Sequence, residues 1–358
     1  MNFIKNTILS TLAMMVCFAA IAQEEEVEEA PAPTFSVAGS IDTYFRSTQY
    51  APGSSFAQLP GFAMGMANII MSYEGEKSGF VADLVFGPRG ADAVFAAPQA
   101  TTLDHEGNEV PNYFYSSSNI VNQLYAYYNV SDSFTLTMGN FNTFLGYEVI
   151  SPVANFNYST SYMFSYGPFS HSGIKADIAA GENTSIMVGV FNTTDNTEFQ
   201  DLNANLDIAE YMFGVQLGLY GQYINYLGGG EGGVSHIDFT GGFDLFDGFF
   251  LGINATSYTD DAEGDFSGFA LYPQYAFSDS FSLGLRVESF TDSGKEFNAL
   301  GQDTDNTSFT ITGSFTSGNI IFKPEFRSDT AGKPIHPDGP ATFSDSLSSF
   351  LIAAIYAF

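Results

Sequence analysis

From residue 34 to the end of the chain, hydrophobic and polar residues alternate with a period of two, the pattern of strands with one apolar and one polar face. In 34–46, Phe35, Val37, Ile41 and Phe45 share one face, while Ser36, Ser40, Asp42, Tyr44 and Arg46 share the other. Phe80, Ala82, Leu84 and Phe86 alternate with Val81, Asp83 and Val85. Phe281, Leu283, Leu285 and Val287 alternate with Ser282, Gly284, Arg286 and Glu288. A soluble sandwich alternates too, so the joints between strands and the placement of charge have to separate the two folds.

Short links at 74–78, 131–133, 181–184, 246–248, 278–280 and 316–319 take turns with long polar links at 47–60, 90–118, 142–170, 193–206, 259–265, 292–306 and 329–348. Transmembrane barrels have this rhythm, with short periplasmic turns and longer extracellular loops; Greek-key sandwiches do not keep it strictly. Two of the short links are near copies, Val130-Ser131-Asp132-Ser133-Phe134 and Phe277-Ser278-Asp279-Ser280-Phe281, and Phe246-Asp247-Gly248-Phe249 is a variant. Asp and Ser satisfy turn backbone groups with their own side chains, and the flanking Phe residues suit an interfacial aromatic girdle.

Charges within strands keep to one face. Lys175 and Asp177 lie opposite Ile174, Ala176 and Ile178; Lys323, Glu325 and Arg327 lie opposite Ile320, Phe322 and Phe326; Arg286 and Glu288 share a face. A Lys or Arg facing lipid at mid-depth costs about 2–4 kcal/mol, so the charged face points to a wet lumen. One strand (34–46), seven hairpins (62–73 with 79–89, 119–130 with 134–141, 171–180 with 185–192, 208–217 with 219–227, 235–245 with 249–258, 266–276 with 281–291, and 308–315 with 320–327) and a closing strand (349–358) make sixteen. The expected fold is all-β, a closed antiparallel transmembrane barrel of 14 to 18 strands, with an even number as in single-chain bacterial barrels. Pro273 and Pro324 interrupt two of these strands and suggest bulges, and the hairpin around Gly218 has a weak turn signal.

Composition sharpens this picture. The chain of 358 residues has 37 Phe, 20 Tyr and 36 Gly, no Trp and only 14% charged residues, yet from residue 34 on no apolar run is long enough for a spanning helix. The formal charge of -30 argues against a nucleic-acid partner and fits either cation attraction or a saline habitat. At the N-terminus, Lys5, the apolar stretch 8–20 and Ala20-Ile21-Ala22 read as a signal peptide over 1–22, cleaved before Gln23. Val16 before Cys17 does not fit a lipobox, and cleavage would leave a chain without cysteine. The segment 23–33, with five Glu and two Pro, is expected to be a disordered periplasmic tail before a barrel over 34–358.

The closing strand ends on Phe358, with Phe350, Ile352, Ala354 and Tyr356 in phase. It is similar to the C-terminal strand signal read by the barrel-assembly machinery, which makes Tyr356 and Phe358 the expected assembly residues and outer-membrane lipid the expected surroundings.

The 142–170 link, after the fifth strand, is too apolar and aromatic for an exposed loop. It is expected to fold into the barrel, where Tyr147, Glu148, Asn155, Asn157 and Tyr158 would narrow a pore. Its Gly139-Asn140-Phe141, Gly146-Tyr147-Glu148, Asn155-Phe156-Asn157-Tyr158-Ser159-Thr160-Ser161, Pro168 and Gly173 resemble the OmpL-like β-barrel porins. That resemblance implies a passive channel for small hydrophilic solutes in the outer membrane of a Gram-negative bacterium. The expected wall charges are Asp42, Arg46, Asp83, Lys175, Asp177, Arg286, Glu288, Lys323, Glu325 and Arg327. Glu148 opposite Arg46, Arg286, Lys323 or Arg327 would either bias ion passage or pin the loop, and the two roles can coexist.

An enzyme is not expected: there is no Gly-x-Ser-x-Gly elbow, and the histidines His105, His171, His236 and His336 are scattered. The acidic tips at 260–265 and 303–305 match no calcium-loop spacing, and no cofactor or metal framework stands out. The alternative function is a structural or adhesive barrel working through its extracellular loops. Trimers are common among pores of this size, although no residue demands a homotrimer.

Overall fold

Alternation along each strand closes a sheet on itself. The computed structural model describes residues 32–94, 101–103, 109–111, 117–197, 211–230, 232–261, 264–293 and 303–358. The expected signal peptide and nearly all of the acidic tail lie outside the described residues. Among the described residues, sixteen antiparallel strands form one closed barrel in which each strand pairs with its chain neighbour. They are β1 (Thr34–Arg46), β2 (Gly61–Glu74), β3 (Ser78–Phe86), β4 (Val121–Ser131), β5 (Phe134–Asn142) and β6 (Ser170–Ala179). Next come β7 (Thr184–Phe191), β8 (Met212–Leu219), β9 (Gln222–Gly229), β10 (Val234–Phe246) and β11 (Phe249–Thr259). The rest are β12 (Phe266–Ser278), β13 (Phe281–Asp292), β14 (Thr304–Ser317), β15 (Ile320–Ala331) and β16 (Ser346–Ala357), and β16 pairs with β1 to close the ring. Phe358 seals the seam: its N–H donates to the Gly39 carbonyl and its carbonyl accepts from the Gly39 N–H, both at 3.0 Å.

The two faces are inverted relative to a soluble protein. Phe62 (91% exposed), Met64, Met138, Ile224, Phe326 and Phe350 stand outward, while Asn68, Asp83, Asn225, Asp238, Glu288 and Thr310 are buried inside. An apolar exterior around a polar interior is what a barrel in lipid requires.

The repeated turns share one geometry. At Asp132-Ser133, Asp247-Gly248 and Asp279-Ser280, a two-residue link is preceded by a one-residue register shift, between Asn129 and Ser131, Asp244 and Phe246, and Ala276 and Ser278. Such a bulge adds local twist and helps the sheet curl.

Three local expectations need correction. The weak hairpin turns at Tyr220-Gly221, not at Gly218: both residues have positive φ (52° and 78°), the two-residue turn whose twist suits a hairpin. No bulge forms at Pro273 or Pro324; pairing is interrupted beside each, against β13 and β14, and the register is unchanged on either side. β3 ends at Phe86 and not at residue 89, because Gly87 turns the chain at φ 88° into the short helix α1 (Pro88–Ala93) and carries Arg89 inward.

Candidate functional site

The segment 143–169 between β5 and β6 lies inside the barrel. It contains no Lys or Arg and one acid, Glu148. Apart from the five-residue helix α2 (Tyr162–Tyr166), it lacks regular structure, so its backbone N–H and C=O groups need partners from the wall. The inward-facing side chains supply them by a consistent rule: carboxylates take loop N–H groups, and cations take loop carbonyls.

Asp238 on β10 accepts from Gly146 N–H at 3.0 Å while Asn225 and Asn254 hold its two oxygens at 2.9 and 2.6 Å. Glu325 on β15 accepts from Tyr158 and Ser159 N–H at 2.8 and 3.1 Å, and Glu288 on β13 accepts from Tyr162 and Met163 N–H at 3.0 and 2.8 Å. In the other sense, Lys323 donates to the carbonyls of Pro152 (2.9 Å) and Asn155. Arg327, paired with Asp329 at 2.8 Å, donates to Thr160 O at 2.7 Å. Arg89 donates to Ile150 O at 2.9 Å and Tyr158 O at 3.2 Å.

At the centre, Arg286 meets Glu148 at 2.7 Å with both side chains buried, and the same guanidinium donates to Ser159 O at 2.6 Å. The other Glu148 oxygen accepts from Ser161 N–H at 2.6 Å. Of the four cations considered for Glu148, Arg286 is the one it meets. Asn155 closes the tip through both ends of its amide to Val149, Asn157 donates to Thr312 at 2.7 Å, and the Tyr158 hydroxyl donates to Asp42.

Glycines on the wall make room for the loop's rings. A Cβ at Gly252 would lie 2.3 Å from the Tyr147 hydroxyl, one at Gly284 2.4 Å from the Phe156 ring, and one at Gly214 2.6 Å from the Phe144 ring. Gly65 is the tightest case, since its Cβ would fall 1.6 Å from an Asp42 oxygen and 2.7 Å from the Tyr158 hydroxyl. Gly65→Val is therefore expected to break the Asp42–Tyr158 contact and lower the temperature at which the barrel loses its folded gel mobility, a larger drop than Tyr158→Phe causes.

The ten expected wall charges all face inward, but in three settings. Asp42, Arg286, Glu288, Lys323, Glu325 and Arg327 are buried against the loop. Arg46 instead holds the 47–60 segment, donating to Thr48 at 2.9 Å and to the carbonyls of Tyr50 and Gln58, and Asp83 accepts from Asn68 and Asn122 at 3.2 and 2.7 Å. Lys175 and Asp177, paired with each other at 2.8 Å on β6, keep 25% and 42% of their side chains exposed.

Sequence reasoning missed Asp238, Arg89 and Asp195. Asp238 and Arg89 were legible by phase, on the lumen face of β10 and in continuation of the lumen face of β3; Asp195 gives no local signal. Asp195, with φ 65°, sits beyond β7 and accepts from Phe169 and Ser170 N–H at 2.7 and 2.9 Å, fastening the loop's exit. The residue is half-buried but its carboxyl is enclosed, and this burial, opposed by the two N–H groups, pushes its pKa up to about 6. A raised carboxylate favours the fold fully below its ordinary pKa and loses that contribution as pH rises through the folded value. Wild type is thus expected to lose thermal stability relative to Asp195→Asn between about pH 4 and pH 7, since the amide keeps the acceptor and does not titrate.

A family model described as "Putative beta-barrel porin-2, OmpL-like" matches residues 34–358. Among solved structures, the fold is similar to OmpT (in-vitro folded), an outer membrane protein of Vibrio cholerae, at 13% identity and a TM-score of 0.54, covering 93% of this chain and 100% of that one. It is also similar to the trimer form of that protein (11% identity, TM-score 0.53, 91% and 100% covered). An anion-selective porin from Comamonas acidovorans aligns at 10% identity with a TM-score of 0.56, again over 91% and 100%. No curated protein matches the sequence.

Proposed function

The chain belongs to the OmpL-like β-barrel porin family and crosses the outer membrane as a multi-pass β-barrel, and from that premise we propose that it is a passive diffusion channel for small hydrophilic solutes, narrowed by the 143–169 loop. The observation that carries this reading is the wall-to-loop hydrogen bonding. A loop whose backbone is held inside the polar-lined barrel by Asp238, Arg286, Glu288, Lys323, Glu325 and Arg327 leaves the wall of β4 to β6 as the side for solute passage. There Tyr125, Tyr127, Thr135, Lys175 and Asp177 face inward without being fully covered.

The charges against the loop act mainly as pins in this reading, because each already has a partner and little contact with water. Selectivity then falls to Lys175 and Asp177, a pair with no net charge. Tyr147, Glu148, Asn155, Asn157 and Tyr158 form the constriction by positioning its backbone more than by presenting charge. Homotrimeric assembly and recognition of the Tyr356–Phe358 end by the assembly machinery belong to the same proposal.

Purified protein in a planar bilayer is expected to give discrete open steps with weak anion–cation preference. A folded barrel that gives no steps would favour the structural or adhesive reading.

A further inference from the structure

Beneath the pinned loop, on the side of the short turns, lies a cavity of about 370 Å³. We propose that it is a binding site for a neutral sugar ring. The inference rests on the porin reading only for how the sugar arrives.

Four aromatic rings line the cavity, Tyr147, Phe156, Phe250 and Tyr272, and the first three are each laid over a wall glycine. Tyr147 covers Gly252, Phe156 covers Gly284, and Phe250 covers Gly242, whose added Cβ atoms would fall 2.3, 2.4 and 2.3 Å from ring atoms. Gly242 and Gly252 are cross-strand partners, so two of these platforms are adjacent. Tyr147 also stacks on Tyr272 with ring centroids 4.3 Å apart, which leaves Phe156 and Phe250 to offer a ring face to a ligand, and a ring face is the negative pole of the aromatic quadrupole. The C–H face of a pyranose is its natural partner.

Amides stand where the hydroxyls of such a ring would reach. Gln274 bonds the Tyr147 hydroxyl and retains further donors and acceptors, and Asn157 commits its NH2 to Thr312. The charged groups at the cavity are Glu148 and Lys323, one of each sign, and both are engaged with Arg286 and with loop carbonyls. A cation finds no unpaired carboxylate there, and an anion would have to draw Lys323 away from the Pro152 and Asn155 carbonyls that hold it. Small-molecule sites span about 300–1,000 Å³, and a cavity at the low end suits one or two sugar rings.

The test adds glucose or maltose to single channels in a planar bilayer and, in parallel, reads saturation-transfer NMR of the same sugars with detergent-solubilised protein. Sugar should reduce the open-channel current and receive saturation, and Phe156→Ala and Phe250→Ala should each weaken both about tenfold. Glucuronate and choline should do neither. Phe156→Leu and Phe250→Leu, which keep bulk but lose the ring face, carry the comparison if the alanine variants fail to fold. An open channel whose sugars receive no saturation overturns the inference, and so does saturation transfer that the variants leave intact. Ring-dependent sugar binding by a protein that never conducts would keep the site and remove the porin reading.

Discussion

Arg286→Ala is expected to raise open-channel conductance several-fold while the barrel stays closed. The Arg286 side chain is fully buried, and its loss strands the Glu148 carboxylate and the Ser159 carbonyl together. Removing one partner of a buried ion pair costs about 3–5 kcal/mol, because the remaining charge is left uncompensated. That cost falls on the loop, which has no ladder to hold it, and not on sixteen strands paired around a ring. The double variant Arg286→Ala with Glu148→Ala should be milder than Arg286→Ala alone, since no charge is then orphaned. Single-channel recording reads the effect, and folded gel mobility shows that the barrel persists. Unchanged conductance in a folded Arg286→Ala protein would mean that the loop does not limit flow.

The second large effect concerns the two wall carboxylates that each hold a pair of successive N–H groups. Glu288→Ala frees Tyr162 and Met163 N–H, and Glu325→Ala frees Tyr158 and Ser159 N–H. A buried donor left unsatisfied costs about 1–3 kcal/mol, so each variant loses two such bonds at one point of the loop. The loop carries Phe144, Tyr147, Phe156, Tyr158, Tyr162 and Phe164 but no Lys or Arg. Chymotrypsin should therefore cut within 143–169 in either variant at a rate at least tenfold above wild type, while trypsin leaves this segment intact in all of them. Glu288→Gln and Glu325→Gln keep an acceptor oxygen and should fall between. Equal chymotrypsin resistance would show that the carboxylates are not what fastens the loop.

The barrel was legible in the sequence because its determinants are local. Period-two alternation, the Asp132-Ser133 and Asp279-Ser280 turns and the rhythm of short and long links all act within about twenty residues. Where the reading slipped, two local signals competed. Gly218 has the usual look of a turn residue, yet it faces inward on β8, where its bare Cα admits the Ser185 and Tyr223 side chains, and Tyr220 takes the turn instead. Arg89 continues the in–out phase of β3, and only the positive φ at Gly87 diverts it.

The candidate site was legible by face but not by partner. Asp42, Arg286, Glu288, Lys323, Glu325 and Arg327 could be placed on the lumen side from alternation alone. Which loop atom each one holds depends on contacts between residues more than a hundred positions apart, such as Glu325 with Tyr158 and Arg286 with Glu148. Tyr158 to Tyr166 alternates like a strand, but Ser161 accepts from Phe164 N–H at 3.0 Å and caps a helix at 162–166.

Cysteines placed at 157 and 312 test the position of the loop most directly, since Asn157 and Thr312 touch at 2.7 Å and the chain's one cysteine is Cys17. In intact outer membranes the Asn157→Cys, Thr312→Cys protein is expected to form the cross-link spontaneously, and its single-channel conductance should be the same before and after reduction. A pair that stays reduced, or a conductance that rises when the link is broken, would contradict a loop fastened across the lumen.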